Sequence, residues 1–277
     1  RYDIVQSYMI FGGIPFYMGY VNPKMSLAQN VDNLFFNKNA VLRDEYNKLF
    51  SSVFVNPEAV KNIVKLLYTR NAGFTRKEIV EKLNITDGGR LSRNLNALIS
   101  NDFVIKYVPL GFGKREEHYK LIDTFCIFYL HFIEGQRNNE KFWQQNSTSA
   151  SISSWRGFAF ENVCFNHVDQ IKYALGIPAV ITEASAWSKK EDDTEGVQID
   201  LLITRNDNVI NMCEIKYYSG PYKVDKDYYA KLLRRQSVLM EKVSPKVSIH
   251  STLITTFGLV DNEYSGVFVN TITMNDL

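Results

Sequence analysis

The chain has 277 residues, 45% of them hydrophobic and 22% charged, which is enough apolar side chain for two or three cores at roughly 100–150 residues per domain. Gly and Pro are too few for a low-complexity or collagen-like chain, and the 13% aromatic content indicates densely packed interiors, which excludes disorder. The longest apolar stretch, Tyr8–Tyr20, is broken by Gly-Gly and Pro and falls short of the ~20 residues a membrane span needs, so no bilayer crossing is expected.

Cys126, Cys164 and Cys213 are odd in number and far apart, with no CxxC spacing, so neither a disulfide framework nor a cysteine metal knuckle is expected and a reducing cytoplasm fits best. The chain opens Arg-Tyr-Asp, without methionine or signal peptide, and is expected to be part of a longer polypeptide. The net charge of +2 is unevenly spread: residues 56–122 carry +5 and residues 150–277 carry −3. A basic middle beside an acidic end is the pattern of nucleic-acid contact followed by a carboxylate-rich site.

Residues 1–55 read as helices, with a turn at Gly12-Gly13-Ile14-Pro15 and apolar positions at helical spacing from Ser26 to Phe36. Residues 56–122 read as three helices and a hairpin. Glu58–Arg70 is amphipathic through Val60, Ile63, Val64 and Leu67. Thr75, followed three residues later by Glu78, is a capping box opening a short second helix. After Asp87-Gly88-Gly89, the helix Arg90–Asn101 turns Leu91, Leu95 and Leu98 inward and Arg90, Arg93, Asn94 and Asn96 outward, the residue types that pair with guanine and adenine edges. The strands Phe103–Leu110 and Glu117–Ile122 flank a glycine-rich loop carrying Lys114 and Arg115. The order helix, helix, helix, hairpin resembles the winged helix-turn-helix. Its partner is double-stranded DNA or a protein, because Glu116-Glu117 directly offsets the charge of the loop. Residues 123–149 form a helical connector.

Residues 150–277 alternate helix and strand. Trp155–His167 is a largely apolar helix with one acid, Glu161, which is costly to bury unless paired or liganded. The runs Val197–Ile203 and Val209–Lys216 read as strands joined by Asn206-Asp207-Asn208. Pairing outward from that turn sets Asp200 directly opposite Glu214, with Lys216 on the same face. Like charges facing each other on apolar strands call for a cation between them, and Mg²⁺ or Mn²⁺ suits carboxylate oxygens. The other reading of these acids is a solvated ion cluster with Lys216 and Arg205, of small energetic worth. On the later helix, Tyr228–Lys242, the cations Lys231, Arg234 and Arg235 are either phosphate contacts or a solvated face. The four histidines show no metal-ligand spacing.

Asp200, Glu214-Ile215-Lys216 and the helix-borne Glu161 together resemble the PD-(D/E)XK nuclease superfamily, with Ile199 where the motif's name has proline. The resemblance implies a mixed sheet flanked by helices, Asp200, Glu214 and Glu161 as metal ligands, and Asp200, Glu214 and Lys216 as the catalytic group. It also makes Gln236 a candidate accessory polar residue. The complete order of segments resembles the C-terminal two-thirds of archaeal-type ATPases of the AAA+ superfamily, with residues 12–15 similar to part of the ATPase lid. No Gly-x-x-x-x-Gly-Lys-Ser/Thr phosphate loop occurs, so no nucleotide-binding residues are expected here and ATP would act only through a preceding domain.

The fold expected is α+β in several parts: a helical segment (1–55), a winged helix-turn-helix (56–122), a connector (123–149) and a restriction-endonuclease-like α/β domain (150–277). The function expected is DNA binding with metal-dependent phosphodiester hydrolysis. The alternative is a non-catalytic DNA- or protein-binding regulatory module of the ATPase.

Overall fold

The computed structural model describes residues 1–135, 139–189 and 196–277. Within them the chain is α+β, with twelve α-helices, a three-stranded sheet and a five-stranded mixed sheet. No described helix is long and apolar enough to cross a membrane. The chain divides into two compact units that are not continuous in sequence. A helical unit holds Asp3–Lys106 and His118–Ala159, and a sheet unit holds Arg1–Tyr2, Tyr107–Glu117 and Phe160–Leu277.

In the helical unit, α1 (Tyr2–Phe11), α2 (Pro15–Met18), α3 (Leu27–Val31) and α4 (Glu45–Val53) form the helical start expected from the sequence. Ser26 and Gln29 cap α3 reciprocally, and α3 widens into a π-turn at Asp32–Phe36. Next come α5 (Pro57–Tyr68), β1 (Phe74–Thr75), α6 (Arg76–Leu83) and α7 (Gly89–Ser100), then β2 (Val104–Tyr107) and β3 (His118–Leu121). The apolar positions read from sequence are buried: Val60, Ile63, Val64 and Leu67 on α5, and Leu91, Leu95 and Leu98 on α7. The Thr75–Glu78 capping box forms, and Arg70 closes it with a bidentate pair to Glu78 at 2.8 and 2.7 Å. The small sheet has the order β1-β3-β2, so Phe74–Thr75 adds a third strand to the expected hairpin. Gly73 enters it at φ +73, where a Cβ would collide with the Tyr119 carbonyl.

Burial is heaviest around α8 (Thr124–Phe132), where every residue except His131 is buried. Phe128 sits 5.4 Å from the Trp143 ring and 5.7 Å from the Trp155 ring, and Phe35 closes on it at 4.9 Å. These aromatics come from α8, α9 (Phe142–Asn146), α10 (Ala150–Asn166) and the π-turn, so the connector is part of a core, at roughly 25 cal/mol for each Å² of apolar surface buried. The unit boundary falls inside α10, between Ala159 and Phe160.

In the sheet unit, α11 (Val168–Ala174) leads to β4 (Thr182–Lys189), β5 (Val197–Arg205), β6 (Val209–Lys216), α12 (Lys226–Met240), β7 (Ser248–Thr255) and β8 (Asn270–Thr273). The sheet order is β4-β5-β6-β7-β8; the first three strands pair antiparallel and the last three parallel. Helix α12 is therefore the crossover between two parallel neighbours, and it buries Leu232 and Leu239 completely. Val238 and Leu239 join Trp187, Ile199, Leu202, Ile210 and Met212 in one cluster, against which Leu110 also packs. A second cluster gathers Val224, Leu232, Leu253 and Phe268.

Candidate functional site

The turn at residues 206–208 sets the β5–β6 register through Thr204↔Ile210, Ile203↔Asn211, Leu202↔Met212 and Leu201↔Cys213, with Asn208 left-handed at φ 61. The expected register holds over these four pairs, but the ladder stops one short of Asp200 and Glu214. On its other side β5 carries an extra residue: Ser185 pairs with Leu202 and Trp187 with Ile199, so Asp200 and Leu201 together stand against Ala186. This β-bulge rephases the strand, so that Ile199 and Leu202 both enter the α12-facing cluster. Asp200 thus reaches Glu214 from a bulge and not as a regular cross-strand partner, the one point where the expected pairing is corrected.

Glu214 is buried, with 5% of its side chain exposed, and both carboxylate oxygens are engaged. Lys216 Nζ lies 2.8 Å from Oε1, Tyr228 donates its hydroxyl to the same oxygen, and Arg235 Nη1 lies 2.5 Å from Oε2. Burial alone would raise the carboxyl of Glu214, but Lys216, Arg235 and the Lys216 and Tyr228 hydrogen bonds outweigh it and keep it below the ordinary carboxylate range. The Lys216 ammonium also stands 4.8 Å from the centre of the Tyr228 ring.

Asp200 has the opposite environment. Among the described residues its one hydrogen bond comes from Gln198 Nε2 at a long 3.4 Å. Burial first, and the charge of Glu214 second, push its carboxyl up to about 6. Two neighbouring carboxylates with pKa values moved apart by their surroundings are a common feature of chemically active sites. Glu161 lies on α10, four residues after Gly157 and three before the buried Cys164. Burial, then Cys213, Glu161 and Asp200, raise the Cys164 thiol, so Glu161 and Asp200 both bear on this one buried sulfur.

The donor set suits a hard divalent cation in its chemistry. The acids are hard oxygen donors, Asp200 lacks full charge compensation, and the Thr255 hydroxyl finds no hydrogen-bond partner among the described residues, although it is buried and is the register partner of Lys216. Glu214 differs, because an ion could use its oxygens only after Lys216 or Arg235 lets go. Among the described residues no three His, Cys, Asp or Glu side chains already converge as a metal cage.

The structure therefore brings Asp200, Glu214 and Lys216 together, while Glu161 is tied to them only through the Cys164 thiol on which it and Asp200 both act. Gln236 is half-buried on α12 and forms no hydrogen bond among the described residues. Its neighbour Arg235 and the helix-opening Tyr228 hold Glu214 instead. Tyr228, Leu232, Arg235 and Leu239 recur at helical spacing, a stripe on which Arg235 stands between two fully buried leucines. An arginine on an apolar stripe is the signal that identifies it.

The remaining expected site residues lie elsewhere. Arg90, Arg93 and Asn96 are exposed on α7, and Asn94 is half-buried. Arg90 and Asn94 line a cleft of about 510 Å³ together with Asn62, Leu83 and Ile85. Lys114 and Arg115 sit in a short 3-10 turn, Lys114–Glu116, that belongs to the sheet unit. Compared with protein-family models and with curated proteins, the chain matches none.

Proposed function

We propose that the sheet unit hydrolyses phosphodiester bonds in nucleic acid with a divalent cation, as a PD-(D/E)XK-type nuclease domain, and that the helix–helix–helix–hairpin of residues 56–122 is a winged helix that binds DNA. The observation that carries this reading is the pair of unlike carboxyls at the β5 bulge, Asp200 raised to about 6 and Glu214 held low, with Lys216 beside them. Asp200 and Glu214 would hold Mg²⁺ or Mn²⁺, with Glu161 completing the set, and the ion would supply positive charge to the phosphate undergoing attack. Lys216, with 28% of its side chain exposed, both pairs Glu214 and reaches solvent. Its ammonium is placed to hold a phosphate oxygen or orient water. Arg235 and Tyr228 fix the Glu214 carboxylate in position.

The exposed Arg90, Arg93 and Asn96 of α7 support the DNA-binding part. In this reading the chain is the C-terminal region of a cytoplasmic AAA+ ATPase, with ATP handled by a preceding domain. The test is incubation with supercoiled, linear and single-stranded DNA in Mg²⁺, Mn²⁺ and EDTA. Metal-dependent cutting that Asp200→Ala and Lys216→Ala each abolish, with DNA affinity retained in Asp200→Ala, is the expected result. Cutting by Asp200→Ala at the parent rate overturns the mechanism.

A second reading rests on the saturation of Glu214: with Lys216, Arg235 and Tyr228 already on its oxygens, the cluster is charge-compensated without an ion. The unit would then be a docking module for DNA or protein. Binding without cutting, weakening linearly in log salt with a slope of ~0.9 per phosphate contact, marks DNA as its partner. Salt-insensitive association marks a protein.

A further inference from the structure

The loop that leaves β6 directly after Lys216 carries a row of tyrosines. Tyr218 packs edge-to-face on Tyr222, ring centres 5.7 Å apart, and Tyr222 packs edge-to-face on Tyr228 at 5.8 Å. Tyr228 is the residue that donates to Glu214 and lies under the Lys216 ammonium. The row thus starts at the carboxylate cluster and ends at Tyr218, which keeps 53% of its surface exposed. Tyr222 and Tyr228 are half-buried, so Tyr218 is the ring of the row that presents its face most to solvent.

The loop is rigidly held. Tyr218 N–H donates to Thr256 Oγ1 at 3.0 Å, and the Thr256 hydroxyl donates back to the Tyr218 carbonyl. Tyr222 N–H donates to Gly258 O at 2.7 Å, and Val260 N–H to Tyr222 O at 2.8 Å. Tyr222 further bridges Leu259 as a parallel strand pair. The rings are therefore set in place before any ligand arrives, which lowers the ordering cost of stacking on them. Lys216 stands over the Tyr228 ring, and the exposed Lys223 follows Tyr222 in the chain. Lys216 and Tyr218 are two residues apart, about 7 Å of extended chain, the reach of roughly one nucleotide from its phosphate to its base.

We infer that this row is a stacking platform for an unpaired base, so that the strand entering the site is single-stranded DNA, with a base on Tyr218 and the adjoining phosphate at Lys216. Base pairs in a duplex cover both base faces with their neighbours, whereas an unpaired base offers a face to an aromatic ring and a backbone to the lysines. The inference rests on the phosphodiesterase reading of the same site and adds the strandedness of its substrate.

The test is fluorescence anisotropy of labelled oligothymidine and of a duplex of equal length, with Ca²⁺ replacing Mg²⁺ to suppress cutting, for the parent, Tyr218→Ala and Tyr218→Phe. Expected are oligothymidine binding weakened about 5- to 100-fold by Tyr218→Ala, parent-like binding by Tyr218→Phe, an unchanged salt slope and little change for the duplex. Parent-like oligothymidine binding by Tyr218→Ala, or equal losses for both substrates, overturns the platform. Cutting assays on the same proteins in Mg²⁺ separate the two ideas. Metal-dependent cutting of oligothymidine indifferent to Tyr218→Ala removes the platform and leaves the nuclease, whereas Tyr218-dependent binding without cutting removes the nuclease and leaves the platform.

Discussion

Both units bury carboxylates, and they satisfy them in different ways. In the helical unit Asp32, 1% exposed, accepts Trp143 N–H at 2.7 Å, Gln144 N–H at 3.1 Å and the Gln144 side-chain amide at 2.9 Å. Asp123 likewise accepts the Cys126 amide at 2.6 Å as the N-cap of α8. Both acids are held by amides at helix starts, although at Asp123 burial outweighs the Cys126 amide and raises the carboxyl. In the sheet unit Glu214 is held by the movable ends of Lys216 and Arg235, and Asp200 is left beside it under-compensated. A buried acid is thus by itself a piece of architecture. An acid beside a second acid, with exchangeable cations around them, is a candidate site.

The largest expected effect comes from removing the acid that gathers the cations. Glu214→Ala strands Arg235 and Lys216 in a partly dry environment and should cost about 3–5 kcal/mol of stability, read by denaturant unfolding. A loss below about 1 kcal/mol would show that the cluster is solvated like a surface pair and would erase the contrast between the units.

Asp200→Asn should act in the opposite direction. The carboxyl of Asp200 in the folded protein, at about 6, lies above the ordinary value near 3.9 for a free aspartate, so the folded state binds the proton more tightly. Ionised Asp200 therefore lowers stability as pH rises from about 4 to 6, and the penalty is complete above that window. Asp200→Asn should stabilise the protein by about 1–3 kcal/mol at neutral pH and flatten that part of the stability profile, while abolishing cleavage. The parent's cleavage should fall as the pH drops and Asp200 takes up its proton, at a pH that moves lower as Mg²⁺ is raised, because ion and proton compete for the same carboxylate. An asparagine variant less stable than the parent at neutral pH would remove the strain assigned to this pair.

In the other unit a change of similar size in stability is expected with no change in cleavage. Asp32→Ala leaves the Trp143 and Gln144 amides without acceptors and should cost about 1–3 kcal/mol, with cleavage per folded molecule unchanged. Loss of cleavage in a folded Asp32→Ala protein would mean that this acid does more than build.

Much of this was readable along the chain. The capping box at Thr75 and Glu78, the buried leucines of α7, and the Asn206–Asn208 turn with its four-pair register are all local, each set by residues within a few positions. The bulge at Asp200 left only a faint trace, the break in alternation where Leu201 and Leu202 are both apolar. The groups on Glu214 were half visible: Lys216 through its spacing, Arg235 only among three helix cations read as phosphate contacts or a solvated face, and Tyr228 not at all.

The sequence by itself determined the type and approximate place of the helices of residues 56–101 and of the β5–β6 hairpin, which of their faces are apolar, and that two carboxylates and a lysine lie near each other on that hairpin. Those properties depend on the 3.6- and 2-residue periods and on turn chemistry, which act over short distances. Only the tertiary structure decided that β5 bulges at Asp200, that β6 pairs parallel with β7 across α12, and that Arg235 and Tyr228 close on Glu214 from 21 and 14 residues away. It also decided that residues 107–117 join the sheet unit. Partnership between distant segments depends on how whole faces pack, and no local period encodes which face will meet which.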